Sequence, residues 1–430
     1  MCGIVASHHY TNLAPFLAAN SIRGRDSWGY WSPAASKRFT HGFRLKDNPT
    51  LHGSTFIANL RAEPTTEWVK EKRESDVQPF EVGNWVIVHN GTIANDKELI
   101  AAHEFENPTR IDSWVIAALL DRYNDFKTVI KMLIGSYAIC AIDKRNPSII
   151  NFAMNYKPLY YHDDQDFGGV LSSVALAVDD RLLPPYSIGA LINVPGRRLV
   201  FESLLPKPNI DKALVVCSGG LDSTVTAAAL QHVGMNVELL HFNYGCRATR
   251  QEITAIKNIA AALKVSYQII TTPIFTDVIK GSPLTNTARN ESFAESEIGA
   301  EFAHEWVPAR NLIMLGIATG IAESHNFNVL ALGANLEESG AYPDNEQVFF
   351  DCYARMLPYA VRANTPIRLE MPVVNLMKHE IVKLGLQLNA PLHLTWSCYN
   401  DSEQHCGNCG PCFMRRTAFE MNGQKDPVFQ

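Results

Sequence analysis

At 430 residues the chain is long for one hydrophobic core, and roughly 100–200 residues per domain divides it into two or three. Hydrophobic residues at 46% and charged residues at 19% describe a folded globular protein; no uncharged apolar run approaches the roughly 18–20 residues of a membrane span. The net charge of −6 lacks the basic surplus of a dedicated nucleic-acid binder and leaves room only for a local basic groove. With no basic segment followed by an apolar one at the start, the expectation is a soluble, cytoplasmic protein with no membrane partner.

The chain starts "MCGIV", which puts a thiol at Cys2 directly behind the initiator. The first half then alternates short β-rich runs with turns: "GSTFIANLRA", "NWVIVHNGTI", "GSYAICAID" and "PSIINFAMN". Only "IDSWVIAALLDRY" has helical spacing, with Ile111, Val115, Ala118 and Leu119 on one face, so a β-rich layered domain with few helices is expected over 1–201. Two prolines and the end of the β pattern place a linker at 202–211. From 212 to 430 the pattern becomes strand, glycine turn, helix, which predicts a doubly wound parallel sheet with helices on both faces.

Loss of Met1 would give Cys2 a free α-amine, a nucleophile carrying its own base. "RGRDSWG", "LRAEPT", "VHNGTI" and "TRIDSWVIAALL" follow in order, and each supplies a group that glutamine hydrolysis uses. The thiolate attacks the side-chain amide, and the amine passes a proton to the departing ammonia. Asn90 and the N–H of Gly91 can hold the oxyanion; Arg61 can take the glutamine α-carboxylate and Asp112 its α-ammonium group. This ordered set resembles the class II, N-terminal nucleophile (Ntn) glutamine amidotransferases over roughly residues 2–200. The resemblance implies a four-layer αββα Ntn-hydrolase sandwich and those same roles for Cys2, Arg61, Asn90, Gly91 and Asp112.

"VVCSGGLDST" follows a strand and opens a helix, so its backbone N–H groups form an anion site, to which Ser218, Ser223 and Thr224 add hydroxyls. No lysine stands where a Walker loop needs one, which points instead to a loop that holds pyrophosphate as a leaving group. The block resembles the PP-loop of ATP pyrophosphatases (the adenine nucleotide alpha hydrolase-like fold). Together with "HFNYGCRATRQE", "WVPARNLIMLGIATGIAE", "LALGANLEESGAYPDNEQVF" and "EMPVVNLMKHEIVKLG" it is similar to 7-cyano-7-deazaguanine synthase of queuosine and archaeosine biosynthesis, over about 212–420. That resemblance implies ATP and Mg²⁺ at the run Ser218, Gly219, Gly220, Leu221, Asp222 and Ser223, with Arg310 and Lys378 neutralising phosphate charge.

Cys398, Cys406, Cys409 and Cys412 offer four thiolates within 398–412, enough to wrap a tetrahedral Zn²⁺ in a closed structural knuckle. Ferredoxin-type spacing would need a further cysteine where Arg416 stands. His405 is surplus, and Cys140, Cys217, Cys246 and Cys352 read as core or incidental residues.

A glutaminase joined to such a synthase supplies ammonia to a partner reaction, and the same pairing occurs in an archaeosine-forming amidotransferase family. Two departures from the synthase pattern favour that family. "AYPDNE" (Ala341 to Glu346) replaces a Gly-Tyr-Pro-Asp-Cys-Arg run, and Cys246 and Ala248 replace the usual glutamine and histidine. The expected function is amidine formation on the nitrile of a 7-cyano-7-deazaguanine (preQ0), as a free base or carried in tRNA or DNA. The alternatives are glutamine- and ATP-dependent nitrile synthesis from the 7-carboxylate, and a non-catalytic or defence-associated binding module. A homo-oligomer is left open.

Overall fold

Strand Gly3–Ser7 is buried on both faces, and its neighbours explain how. Ile4 and Ala6 point into one core while Val5 points into another, the two-residue alternation of a pleated strand covered on both sides. The computed structural model describes residues 2–8, 12–49, 55–62, 73–155, 157–164, 168–193, 199–205, 210–279, 282–285, 306–339, 342–362, 366–400 and 402–429. Met1, part of the "LRAEPT" motif (63–65), linker residues 206–209 and Ala341 of the "AYPDNE" run lie outside them. Two compact units divide the chain, Met1–Pro206 and Lys207–Gln430.

The first unit holds two antiparallel sheets. Seven strands form one, in the spatial order Arg181–Leu182, Tyr160–Asp164, Gly168–Ser172, Gly3–Ser7, Phe56–Arg61, Ser27–Ser32 and Ala35–Phe39. Six form the other: Leu199–Ser203, Ser187–Ile192, Ile149–Met154, Gly135–Asp143, Trp85–Ile93 and Phe80–Val82. Ile4, Ala6 and Ile57 of the first sheet pack with Val86, Val88, Ala138 and Phe152 of the second in a shared core. Phe16 and Leu17 of helix Ala14–Ser21 cover the outer face of the first sheet, against Val5, Trp28 and Leu60. Helices Trp114–Tyr123 and Phe126–Met132 cover the outer face of the second through Val115, Leu119 and Ile130. The layers therefore run helix, sheet, sheet, helix. Helices Ala14–Ser21, Asp96–Ala102 and Phe126–Met132 have only seven or eight residues, shorter than the window in which helical periodicity is legible.

In the second unit five parallel strands lie in the order Ser266–Thr271, Asn236–Asn243, Lys212–Val216, Val329–Leu332, Arg368–Glu370. Helices Leu221–His232 and Thr249–Leu263 cover one face through Ala227, Leu230, Ile256 and Ile259. Helices Arg310–Ser324 and Gln347–Ala360 cover the other through Leu315, Ala318 and Phe350, so the sheet is doubly wound. The chain leaves Lys212–Val216 in one direction and later returns to its other side at Val329–Leu332. That reversal opens a crevice beyond the strand ends, where open α/β sheets bind ligands. Among the described residues no helix is long and apolar enough to cross a membrane.

Candidate active sites and metal centre

Antiparallel pairing of Gly3 with Leu60 brings Cys2 next to Arg61, at the end of strand Phe56–Arg61. The Cys2 N–H donates to Asn90 Oδ1 at 3.1 Å, and Arg23 Nε donates to the Cys2 carbonyl at 3.2 Å. Burial pushes the Cys2 thiol up; positive charge at the chain start, an N–H of Ala62 and Arg61 oppose this, while Asp112 adds to it. Arg61 and Asp112 thus act on the Cys2 thiol, Asn90 holds the Cys2 main chain, and Gly91 follows Asn90 in strand Trp85–Ile93. Because Asn90 Oδ1 is engaged by Cys2, its amide plane is set, and buried Nδ2 makes no hydrogen bond. Gly91 has φ +147°, and a Cβ there would stand 1.9 Å from the Ser136 carbonyl oxygen, so only glycine fits the chain at this point.

Asp112 is oriented through both oxygens: Oδ2 accepts from the Ile93 N–H at 2.6 Å and Oδ1 from the Ser113 hydroxyl at 3.0 Å. Ser113 Oγ in turn lies 2.7 Å from His89 Nδ1, and burial lowers the His89 pKa, which favours the neutral ring. Gln78 bonds both main-chain groups of His89. Sequence reading did not select Arg23, Ser113, His89 or Gln78 as site residues. Arg23, His89 and Ser113 stand in the "RGRD", "VHNGTI" and "TRIDSW" runs, whereas Gln78 acts through a folded contact that leaves no local pattern.

At the second site, loop residues Cys217–Gly220 join strand Lys212–Val216 to helix Leu221–His232. Gly219 takes φ +84°, and Gly220 N–H donates to Ser218 Oγ at 3.3 Å. Lys378 Nζ lies 2.6 Å from Asp222 Oδ2, which also accepts from Asn335 Nδ2 at 3.3 Å. The Lys378 N–H is held by Glu337 Oε1 at 2.8 Å. Asn335 and Glu337 were not selected individually, although they stand in the "LALGANLEES" block. A Cβ on Gly333 would come 2.6 Å from Ser223 N, so glycine lets the turn after strand Val329–Leu332 approach the first turn of helix Leu221–His232. Arg310 begins helix Arg310–Ser324 and acts electrostatically on Tyr244, Glu252 and Asp344; these surroundings differ from those of the Lys378–Asp222 pair.

The ligand atoms of Cys398, Cys406, Cys409 and Cys412 all lie within 4.8 Å of one another. Cys398 and Cys409 sulfurs are 3.9 Å apart, close to the spacing of about 3.8 Å that a tetrahedron with Zn–S bonds of about 2.3 Å requires. Main-chain N–H groups of Asn400 and Cys406 point at Cys398 Sγ, and that of Asn408 at Cys406 Sγ, which suits thiolates. The cluster can hold a metal ion. His405 Nε2 accepts from the Ser397 N–H at 3.1 Å, so this ring nitrogen is engaged outside the cluster. The knuckle also braces the loop: Trp396 N–H donates to the Gly219 carbonyl at 2.8 Å.

Residues 212–423 match the family described as queuosine biosynthesis protein QueC, and residues 66–179 match a glutamine amidotransferase domain. A 7-cyano-7-deazaguanine synthase of Sulfolobus acidocaldarius is 43% identical across 99% of this chain and 97% of its own length. The chain belongs to the 7-cyano-7-deazaguanine synthase family. It is an enzyme-family member with a glutamine amidotransferase domain ahead of the synthase part. A family member from Saccharolobus solfataricus is 40% identical over 97% of this chain and 94% of its own. One from Sulfurimonas denitrificans, 36% identical, covers 50% of this chain and 96% of its own length. The synthase-family match contains the 218–223 loop and all four knuckle cysteines. The amidotransferase match contains Asn90, Gly91 and Asp112; Cys2 and Arg61 precede it.

Proposed function

We propose that this protein is a glutamine-dependent amidotransferase of 7-deazaguanine metabolism, which releases ammonia at Cys2 and adds it to the nitrile of a 7-cyano-7-deazaguanine to form an amidine. The first unit, read as an Ntn-hydrolase sandwich, supplies the glutaminase. After loss of Met1 the Cys2 amine shuttles protons, Asn90 Nδ2 and the Gly91 N–H receive the oxyanion, and Arg61 and Asp112 fix the two ends of the amino acid. The unfilled, buried Asn90 Nδ2 supports this reading, since a buried donor with no partner is costly unless a ligand fills it.

The observation that carries the choice of acceptor is the charge at the substrate end of the second unit. Glu252, with its side chain 13% exposed, and Asp344, at 9%, stand there, and Glu346 takes the place of the family's arginine. Burial raises both Glu252 and Asp344 against the pull of Arg310, and with a glutamate where the synthase run has its arginine, added negative charge is unfavourable. A carboxylate substrate would add such charge, whereas a nitrile adds none. The loop at Ser218–Ser223 with Asp222 and Lys378 fits a nucleotide's phosphates and Mg²⁺; bound there, ATP would supply the oxygen activation that only the carboxylate reaction needs. The four-cysteine cluster fits a structural Zn²⁺.

A second reading, glutamine- and ATP-dependent synthesis of the nitrile from the carboxylate, is favoured by the names of the full-length relatives and by the complete loop. Purified protein with glutamine, ATP-Mg²⁺ and either the nitrile or the carboxylate separates the two by product mass. The acceptor is offered as free base and within tRNA or DNA. Amidine from the nitrile is expected; nitrile from the carboxylate, with AMP and pyrophosphate, would refute the first reading and support the second.

A further inference from the structure

Cys246 lies just past the end of strand Asn236–Asn243, next to the strand that leads into the 218–223 loop. It is only 8% exposed and packs among apolar side chains, yet its sulfur is 3.4 Å from Glu252 Oε2 and 3.5 Å from Thr249 Oγ1. Glu252 links this thiol to the loop: its carbonyl oxygen lies 3.2 Å from where a Cβ on Gly219 would stand, and its charge acts on Cys217. His241 adds an independent sign of a ligand. It is 1% exposed, and its Nδ1 lies 3.0 Å from the Cys217 carbonyl, to which only an N–H can donate. Nε2 is therefore an acceptor in the neutral ring that burial favours. It makes no hydrogen bond and sits 3.9 Å from Glu252 Oε2, the carboxylate oxygen that the Cys246 sulfur also approaches. A buried acceptor left unfilled there suits a heterocycle that brings N–H donors.

Resting on the amidotransferase reading above, we infer that Cys246 is the nucleophile that takes up the nitrile carbon as a thioimidate before ammonia displaces it. Glu252 accepts the thiol proton as the sulfur bonds to the nitrile carbon, and returns it to the nitrile nitrogen, leaving a C=NH group. Ammonia then attacks the same carbon. The C–S bond breaks, the departing sulfur takes back a proton, and the amidine leaves. Nitrile plus ammonia gives amidine, with no change of oxidation state and no ATP. Glu252 is pushed up to about 7, near the range in which a carboxyl both accepts and donates a proton at neutral pH. Burial and Glu252 push the Cys246 thiol up, so it rests protonated and is activated only by transfer to that carboxylate.

The test uses the full chain with 7-cyano-7-deazaguanine, as free base and within tRNA, first without glutamine. Peptide mapping should find the mass of the nitrile substrate on Cys246, and ammonium chloride should discharge it as amidine. Cys246→Ser should lose both adduct and amidine while hydrolysing glutamine and melting as the wild type does; Glu252→Gln should keep the thiol but slow adduct formation. Undiminished amidine formation by Cys246→Ser, or a wild type that makes amidine with no adduct on Cys246 at any ammonia concentration, overturns the inference and leaves the proposed function standing. A wild type that makes no amidine and consumes the carboxylate overturns both.

Discussion

Replacing Asn90 should separate glutamine hydrolysis from everything else the protein does. Asn90 Oδ1 accepts the Cys2 N–H at 3.1 Å, which leaves Nδ2 buried and without a hydrogen bond at the same residue. A donor aimed at an oxyanion in a dry site contributes about 10²–10³ to kcat, about 2.7–4 kcal/mol, and Asn90→Ala should lower glutaminase kcat by that factor. Asn90→Asp keeps the acceptor for Cys2 and the side-chain volume, but puts a negative oxygen where the donor was. Its loss should exceed that of Asn90→Ala. The assay is ammonia release from glutamine, run beside product formation from ammonium chloride, which neither variant should alter. Alkylation of Cys2 by a glutamine-like electrophile reports whether the thiol stays in place. A raised KM with unchanged kcat in Asn90→Ala would refute the oxyanion role and make Asn90 a ground-state binding residue.

Cys2→Ala should abolish glutamine-driven product while ammonium salts still support it; residual glutaminase activity in that variant would refute the nucleophile. Metal analysis should find a single tightly held zinc per chain, and Cys409→Ala should lower the melting temperature sharply, since structural zinc contributes on the order of 10 kcal/mol to folding in small peptides. Iron, or well-folded metal-free protein, would reject this. Arg415→Met strands Asp426, whose side chain is 2% exposed and which Arg415 meets at 2.7 and 3.0 Å. It should cost about 3–5 kcal/mol, read as a fall in denaturation midpoint. Asp222→Ala removes the partner of Lys378, and the thermal shift given by ATP-Mg²⁺ should vanish; an unchanged shift would show that the loop does not hold the nucleotide.

Much of both sites was legible because their chemistry sits in short runs. "VVCSGGLDST" reads as strand, loop and helix start from consecutive residues, and the four knuckle cysteines fall within one short window. Cys2, Arg61, Asn90 and Asp112 were legible only as an ordered set, since each alone is an ordinary strand-end or turn residue. Ser113, which orients Asp112, and His89 and Gln78, which tie it to strand Trp85–Ile93, were not legible individually. The bonds from His89 to Gln78 and to Ser113 span 11 and 24 positions of chain, which no local spacing encodes. Cys246 and His241 show the same limit from the other side. By composition they pass for core residues, and only the fold turns one towards Glu252 and leaves a nitrogen of the other unfilled.

By itself the sequence determined the class of each half. Period-two runs covered on both faces require a layered β structure, and strands alternating with helices require a parallel sheet, because a parallel crossover must pass over a sheet face. It also singled out a candidate nucleophile, a glycine loop after a strand and four clustered cysteines, whose candidacy resides in residue type and near spacing. Only the tertiary structure decided what surrounds them. Burial sets the direction in which Cys2, Glu252 and Asp344 shift, and close approach decides that Gly91 admits no side chain and that Lys378 meets Asp222 from 156 positions away. Such effects depend on distance and desolvation, which are properties of the folded arrangement and not of order along the chain.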